Sequence, residues 1–231
     1  MPGRLVIYDD SFFRTAAKKI FNNVKNNIGY IKPTYNLAPT HLLPVLLNTS
    51  VYTYAHFGLI PSWAKDKKSI NINARSETLF EKMSFRESFK NKRCLIPVNG
   101  FYEWEQIDKE KFPYFVQSLN DGGFVLAGLW DEWYDVIKNE KIISVALITT
   151  RPNQKISKIH DRMPVILDSK HWKTWLDNKT SLGELNKLFL PSSSEQLKLD
   201  EVSSFVNPVK NNTPECIKPF KREAPIKETL F

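Results

Sequence analysis

Residues 93–106 read RCLIPVNGFYEWEQ. The apolar run 93–98 and the alternating run 101–105 are both strand patterns. An Asn99-Gly100 pair stands between them. Asn-Gly suits a two-residue hairpin turn because both residues tolerate positive φ, so the spacing predicts a tight hairpin here. Pro97 speaks against it, since proline removes a donor from the ladder. With a period of two, Phe101, Glu103 and Glu105 share one strand face while Tyr102 and Trp104 share the other.

Outward from this stretch the same patterns continue. Residues 41–50 and 51–60 read as strands joined near Asn48 to Ser50, and 113–119, 123–130, 142–150 and 201–206 as further strands. Residues 11–24 place Phe12, Phe13, Ala16, Ala17, Ile20, Phe21 and Val24 on one helical stripe, with Asp9, Asp10 and Ser11 as caps. Segment 85–92 predicts a short basic helix, and 169–177 and 181–189 two more. Short strands mixed irregularly with a few helices argue for an α+β fold rather than a doubly wound sheet. The expectation is one compact domain over 1–231, with mixed short strands in a curved sheet or barrel-like core. The Pro, Asn and Lys-rich tail from about residue 207 is expected to wrap the body.

With 231 residues, 42% of them hydrophobic, the chain can bury a core without disulfide staples. Its two cysteines, Cys94 and Cys216, form no disulfide or metal pattern, which suits a reducing compartment. No leader pattern opens the chain, and no run approaches the ~18 apolar residues of a membrane helix. The reading is therefore cytoplasmic, with no membrane partner. The four histidines lack ligand spacing and no Gly-rich phosphate loop is present, so neither a metal nor a cofactor is expected. A net charge of +8 and a pI near 9.3 favour a polyanionic partner.

Three further stretches could carry chemistry beside Glu103. That carboxylate, set among aromatics, is either a general acid or base with a raised pKa or part of an exposed strand face. In NINARSETLF, Asn73 can orient a reacting group and Arg75 can grip phosphate, but the same letters describe a turn and a helix cap. Trp63 beside Lys65, Lys67 and Lys68 is either a stacking platform for single strands or a core indole next to a solvated loop. In KIHDRMPVIL, His160, Asp161 and Arg162 either handle protons and an anion or form a charged turn.

Taken in order, YNLAPT, FGLIPSWAKD, INARSET, SFRESF, RCLIPVNGFYEW, PYFV, AGLWDEW, IHDRMPVIL and VSSFVNPVKNNTPE resemble the SRAP family, the SOS-response-associated peptidases or abasic-site processing proteins. The resemblance runs from residue 3 or 4 to about residue 219. It implies a compact α+β domain with a positive cleft for single-stranded DNA carrying abasic sites. It also implies a monomer that is nucleoid-associated when bound to DNA. By residue, it makes Asn73 a site asparagine, Glu103 the acid or base for ring opening, and His160 a proton donor at the sugar. Arg4, Arg75 and Arg162 become phosphate contacts, Arg86 a DNA contact in SFRESF, and Trp63 an aromatic shaping the DNA path.

One departure touches the centre of the chemistry. Family members begin Met-Cys-Gly-Arg, and after Met removal the cysteine closes a thiazolidine on the abasic aldehyde. This chain begins Met1-Pro2-Gly3-Arg4. Three readings follow: an enzyme that reacts with abasic DNA through the Pro2 amine, a catalytically silent single-strand binder, or a peptidase lacking an evident nucleophile.

Overall fold

In a computed structural model, which describes residues 2–68, 70–119 and 122–222, the 93–106 stretch does not fold back on itself. In chain order the elements begin with β1 (Arg4–Ile7), α1 (Ser11–Ile20), β2 (Lys25–Asn26), β3 (Thr34–Leu37) and β4 (Leu42–Leu47). Next come β5 (Val51–Phe57), β6 (Asn73–Arg75), α2 (Met83–Asn91), β7 (Arg93–Val98) and β8 (Gly100–Ile107). Then follow β9 (Glu110–Ser118), β10 (Phe124–Asp135), β11 (Glu140–Thr150) and β12 (Met163–Pro164). The chain continues through α3 (Trp172–Leu176), α4 (Leu182–Lys187) and β13 (Leu197–Glu201).

Strands β11, β10, β7, β4 and β5 pair in succession, and β5 closes the ring by pairing in parallel with β11. The second sheet runs β13-β9-β8-β1-β3. The Asn99-Gly100 pair is the crossover between the two. Val98 pairs with Phe124 in the barrel, while Gly100 pairs with Val6 and Gln117 in the other sheet. The hairpin expectation is thus corrected. The Asn99 side chain, buried, does the joining: its Oδ1 accepts from the amides of Tyr8 and Asp9, and its Nδ2 donates to the Gly122 carbonyl. Glycine follows because a Cβ at position 100 would sit 2.5 Å from the Val116 carbonyl. Pro97 is tolerated because β7 has left β4 by then, its last contacts with that strand being at Cys94 and Leu95.

Two other boundaries differ from the sequence reading. α1 stops at Ile20, where Phe21 turns to extended backbone, four residues short of the predicted end. Its predicted acidic cap also works otherwise, for Asp10 makes no side-chain cap bond but pairs with Arg14 and accepts from the Tyr52 hydroxyl. The last strand is β13, not 201–206, because Ser203 caps a 3-10 turn over Ser204–Val206 and ends the ladder.

The second sheet is covered on both faces. Leu5, Phe101 and Val116 face the barrel core, whereas Val6, Tyr102 and Phe115 pack under Val202, Val206 and Cys216. The segment from Ser203 to Pro219 therefore lies over the outer face of β1, β8 and β9. The part of the expected tail beyond residue 222 lies outside the described residues.

Candidate active site

The alternation of β8 divides the candidate residues between two sides. Tyr102 and Trp104 point to the outer face, and Glu103 to the inner one beside the barrel. Glu103 is 2% exposed. Burial disfavours its ionised form and pushes its pKa up to about 7. A carboxyl that titrates near neutrality can both give and take a proton.

His160 follows a 3-10 turn over Ile156–Lys158 and points its Nε2 at Glu103 Oε2, 3.8 Å away. Its Nδ1 accepts from the Arg162 amide at 2.9 Å and lies 3.0 Å from Asp161 Oδ1. These two contacts ask for opposite tautomers. Asp161 is 82% exposed, so water weakens its pull, and burial lowers the imidazole pKa. The amide therefore decides, and the assigned tautomer carries its proton on Nε2, toward Glu103.

Asn73 opens β6, which pairs in parallel with β11 at Leu147, and its Nδ2 donates to the Pro2 carbonyl at 3.2 Å. Its Oδ1 is buried with no hydrogen-bond partner among the described residues. Pro2 is buried just before β1, and β1 pairs with β8 at Arg4 and Tyr102. Pro2, Asn73, Glu103 and His160, far apart in sequence, are thus joined by a carbonyl contact, a strand pairing and a carboxyl–imidazole approach. Met1, whose removal the sequence reading expects, lies outside the described residues.

The cationic candidates divide. Arg75 shares a side of β6 with Asn73, is exposed, and makes no ion pair among the described residues. Trp63 is 60% exposed on the loop between Gly58 and Ile72, which closes through paired Leu59 and Asn71 backbones and leads directly into Asn73. Beneath it Trp133 packs with Ile60 and Ile142 and donates its indole N–H to the Ala64 carbonyl.

Arg4 lies on the outer face, away from Glu103. Its guanidinium donates to Asn36 Oδ1 and the carbonyls of Val206 and Asn207, and stacks over Trp104. It holds the C-terminal segment. Arg86 is exposed on α2 against β7 and β10, and among the described residues no side-chain contact links it to the site. Arg162 is held in a fork by Glu77, with 2.7 and 2.9 Å contacts, and donates to the Thr149 carbonyl at 2.6 Å. Glu77 stood in the quoted NINARSETLF, but its partner lies 85 residues on, and no local signal pairs them. Tyr114, directly across from Glu103 on β9, was missed for the same reason: only the β8–β9 register brings it there.

With this geometry in place, the comparisons with known proteins fall into line. The family model described as SOS response associated peptidase (SRAP) matches residues 1–209. The abasic site processing protein YoqW of Bacillus subtilis is 40% identical over 197 residues, covering 82% of this chain and 88% of that one. The abasic site processing protein HMCES of Gallus gallus is 32% identical over 234 residues, covering 85% of this chain and 69% of that one. Among solved structures, a crystal structure of a Bacteroides thetaiotaomicron protein superposes with a TM-score of 0.82 at 25% identity. It covers 94% of this chain and 100% of that chain.

Proposed function

This chain belongs to the SOS response associated peptidase (SRAP) family, and on that premise we propose that it processes abasic sites in single-stranded DNA through the Pro2 amine. One juxtaposition supports this reading most directly. Glu103, buried and titrating near neutrality, faces His160 at 3.8 Å beside the Pro2 carbonyl that Asn73 holds.

Removal of Met1 leaves Pro2 with a secondary amine. The amine adds to C1′ of the ring-opened sugar, and its N–H proton passes to the carbonyl oxygen to give a neutral carbinolamine. Asn73 Oδ1 accepts from that hydroxyl, and Glu103 in its neutral form protonates it so that water leaves. What remains is an iminium. With no thiol beside it, a thiazolidine cannot close. The iminium draws electrons from C2′, Glu103 or His160 takes the C2′ proton, and the 3′ phosphate departs with its C–O electron pair. Hydrolysis of the conjugated iminium then frees Pro2. The expected outcome is weak lyase activity with a transient adduct, in place of a durable crosslink.

The test is incubation with abasic single-stranded DNA, with and without borohydride, resolved on a denaturing gel after intact mass has established Met1 loss. A reductant-dependent adduct together with strand cleavage supports the lyase. A heat-stable crosslink without reductant refutes it. Neither product, despite Met1 loss, favours a fold that binds single strands without reacting, the reading that a position 2 without cysteine otherwise supports. A peptidase role has less support, because among the described residues none beside Glu103 offers an evident acyl-accepting nucleophile.

A further inference from the structure

Arg162 matches a phosphate contact in sequence, yet three of its five donors are already taken. A guanidinium has five N–H groups. One Nη1 and one Nη2 hydrogen meet the two oxygens of Glu77, and the other Nη2 hydrogen meets the Thr149 carbonyl. The Nε is buried with no partner among the described residues, which leaves a single Nη1 hydrogen to offer. No phosphate can be gripped by two parallel bonds while Glu77 stays where it is.

The two partners differ in freedom. The Arg162 side chain is 12% exposed and pinned to β11, whereas the Glu77 side chain is 54% exposed on the 3-10 turn after β6. A change of rotamer can carry the carboxylate into solvent without moving backbone. Arg75, two residues before Glu77, stands exposed to receive the same strand.

We propose that Glu77 occupies, by its own carboxylate, the place of a DNA phosphate in the fork of Arg162, and is displaced when a single strand binds. A carboxylate and a phosphate present the same pair of acceptor oxygens to a guanidinium. The Arg162 hydrogen bond also holds the Glu77 pKa below its ordinary value, so the placeholder is charged at neutral pH. Glu77 thereby restrains affinity: binding at this subsite exchanges one ion pair for another instead of adding one. The inference rests on the single-strand reading above and goes beyond it by naming the residue that sets the affinity.

The test measures binding of an undamaged thymine oligonucleotide, which cannot react, to the parent, Glu77→Gln, Arg162→Ala and the double variant across a salt series. For a partly exposed ion pair the expected gain in Glu77→Gln is about two- to fivefold at low salt. The slope of log affinity against log salt should stay unchanged, because displacement of Glu77 leaves the same phosphate neutralised in parent and variant. The gain is absent when Arg162→Ala is added. Glu77→Asp, too short to meet both Nη atoms, moves in the same direction by less and serves if the glutamine variant fails to fold. Weaker binding by Glu77→Gln, or a gain that persists without Arg162, overturns the proposal. A parent chain that does not bind the oligonucleotide at all removes the single-strand reading first, and this proposal with it.

Discussion

Glu103 carries opposite consequences for stability and for chemistry. Its folded pKa of about 7 lies above the ordinary 4.5, so folding favours the neutral form. The stability this carboxyl contributes is fully present below pH 4.5 and lost as pH rises through 7. Glu103→Gln has no charge to bury, so it should unfold later than the parent above neutrality, by up to about 3 kcal/mol, and show no such gain at about pH 4. Urea unfolding at both pH values checks this; an equal difference at both would mean that titration of Glu103 is not the cause. The same variant should react with abasic DNA ~10²-fold more slowly while binding it normally. Single-turnover rates and binding, measured together, separate the two effects. The residue itself was visible in the sequence, since alternation placed it apart from Tyr102 and Trp104. Its burial was not, because that depends on the barrel packed behind β8.

Among the elements, the crossover at Asn99 and the helix ends at Arg93 hold the layout together. Arg93 is buried where α2 and α3 both finish, and it donates to the carbonyls of Phe89, Lys90, Trp175 and Asp177. Carbonyls at helix C-termini lack intrahelical partners, and one guanidinium satisfies those of two helices. Arg93→Ala should therefore cost about 3 to 5 kcal/mol, since it leaves several buried acceptors unmet. A lowered urea midpoint tests this, and a change under 1 kcal/mol would mean that water reaches those carbonyls. Gly100→Ala should also destabilise, because the added methyl meets Val116 and Phe115. Strand and helix positions were legible from periodicity, which is a local property. The partners of those strands were not. Asn-Gly marks a place where backbone needs freedom, and here the need comes from the closeness of β9 rather than from a turn. Arg93 illustrates the same limit, as its role exists only once two helices separated by some 80 residues end at one point.

At the scale of the whole molecule, a net charge of +8 says little about which cations meet DNA. The fold gives them different surroundings. Arg4 faces away from Glu103 and spends its donors on Asn36 and the C-terminal segment, whereas Arg75 stands exposed beside Asn73. Counterion release depends only on phosphates actually neutralised, each adding about −0.7 to the slope of log affinity against log salt for a single strand. Arg75→Ala should therefore weaken binding and flatten that slope by about 0.7. Arg4→Ala should leave the slope unchanged and instead lower the unfolding midpoint, because Val206 and Asn207 lose their anchor. Both variants change the net charge by the same amount, so a bulk-charge account predicts equal salt effects. Titrations of the parent and both variants against one single-stranded oligonucleotide across a salt series discriminate. Equal slopes for the two variants would mean that the positive field of the molecule, and not the residues around Asn73, recruits the strand.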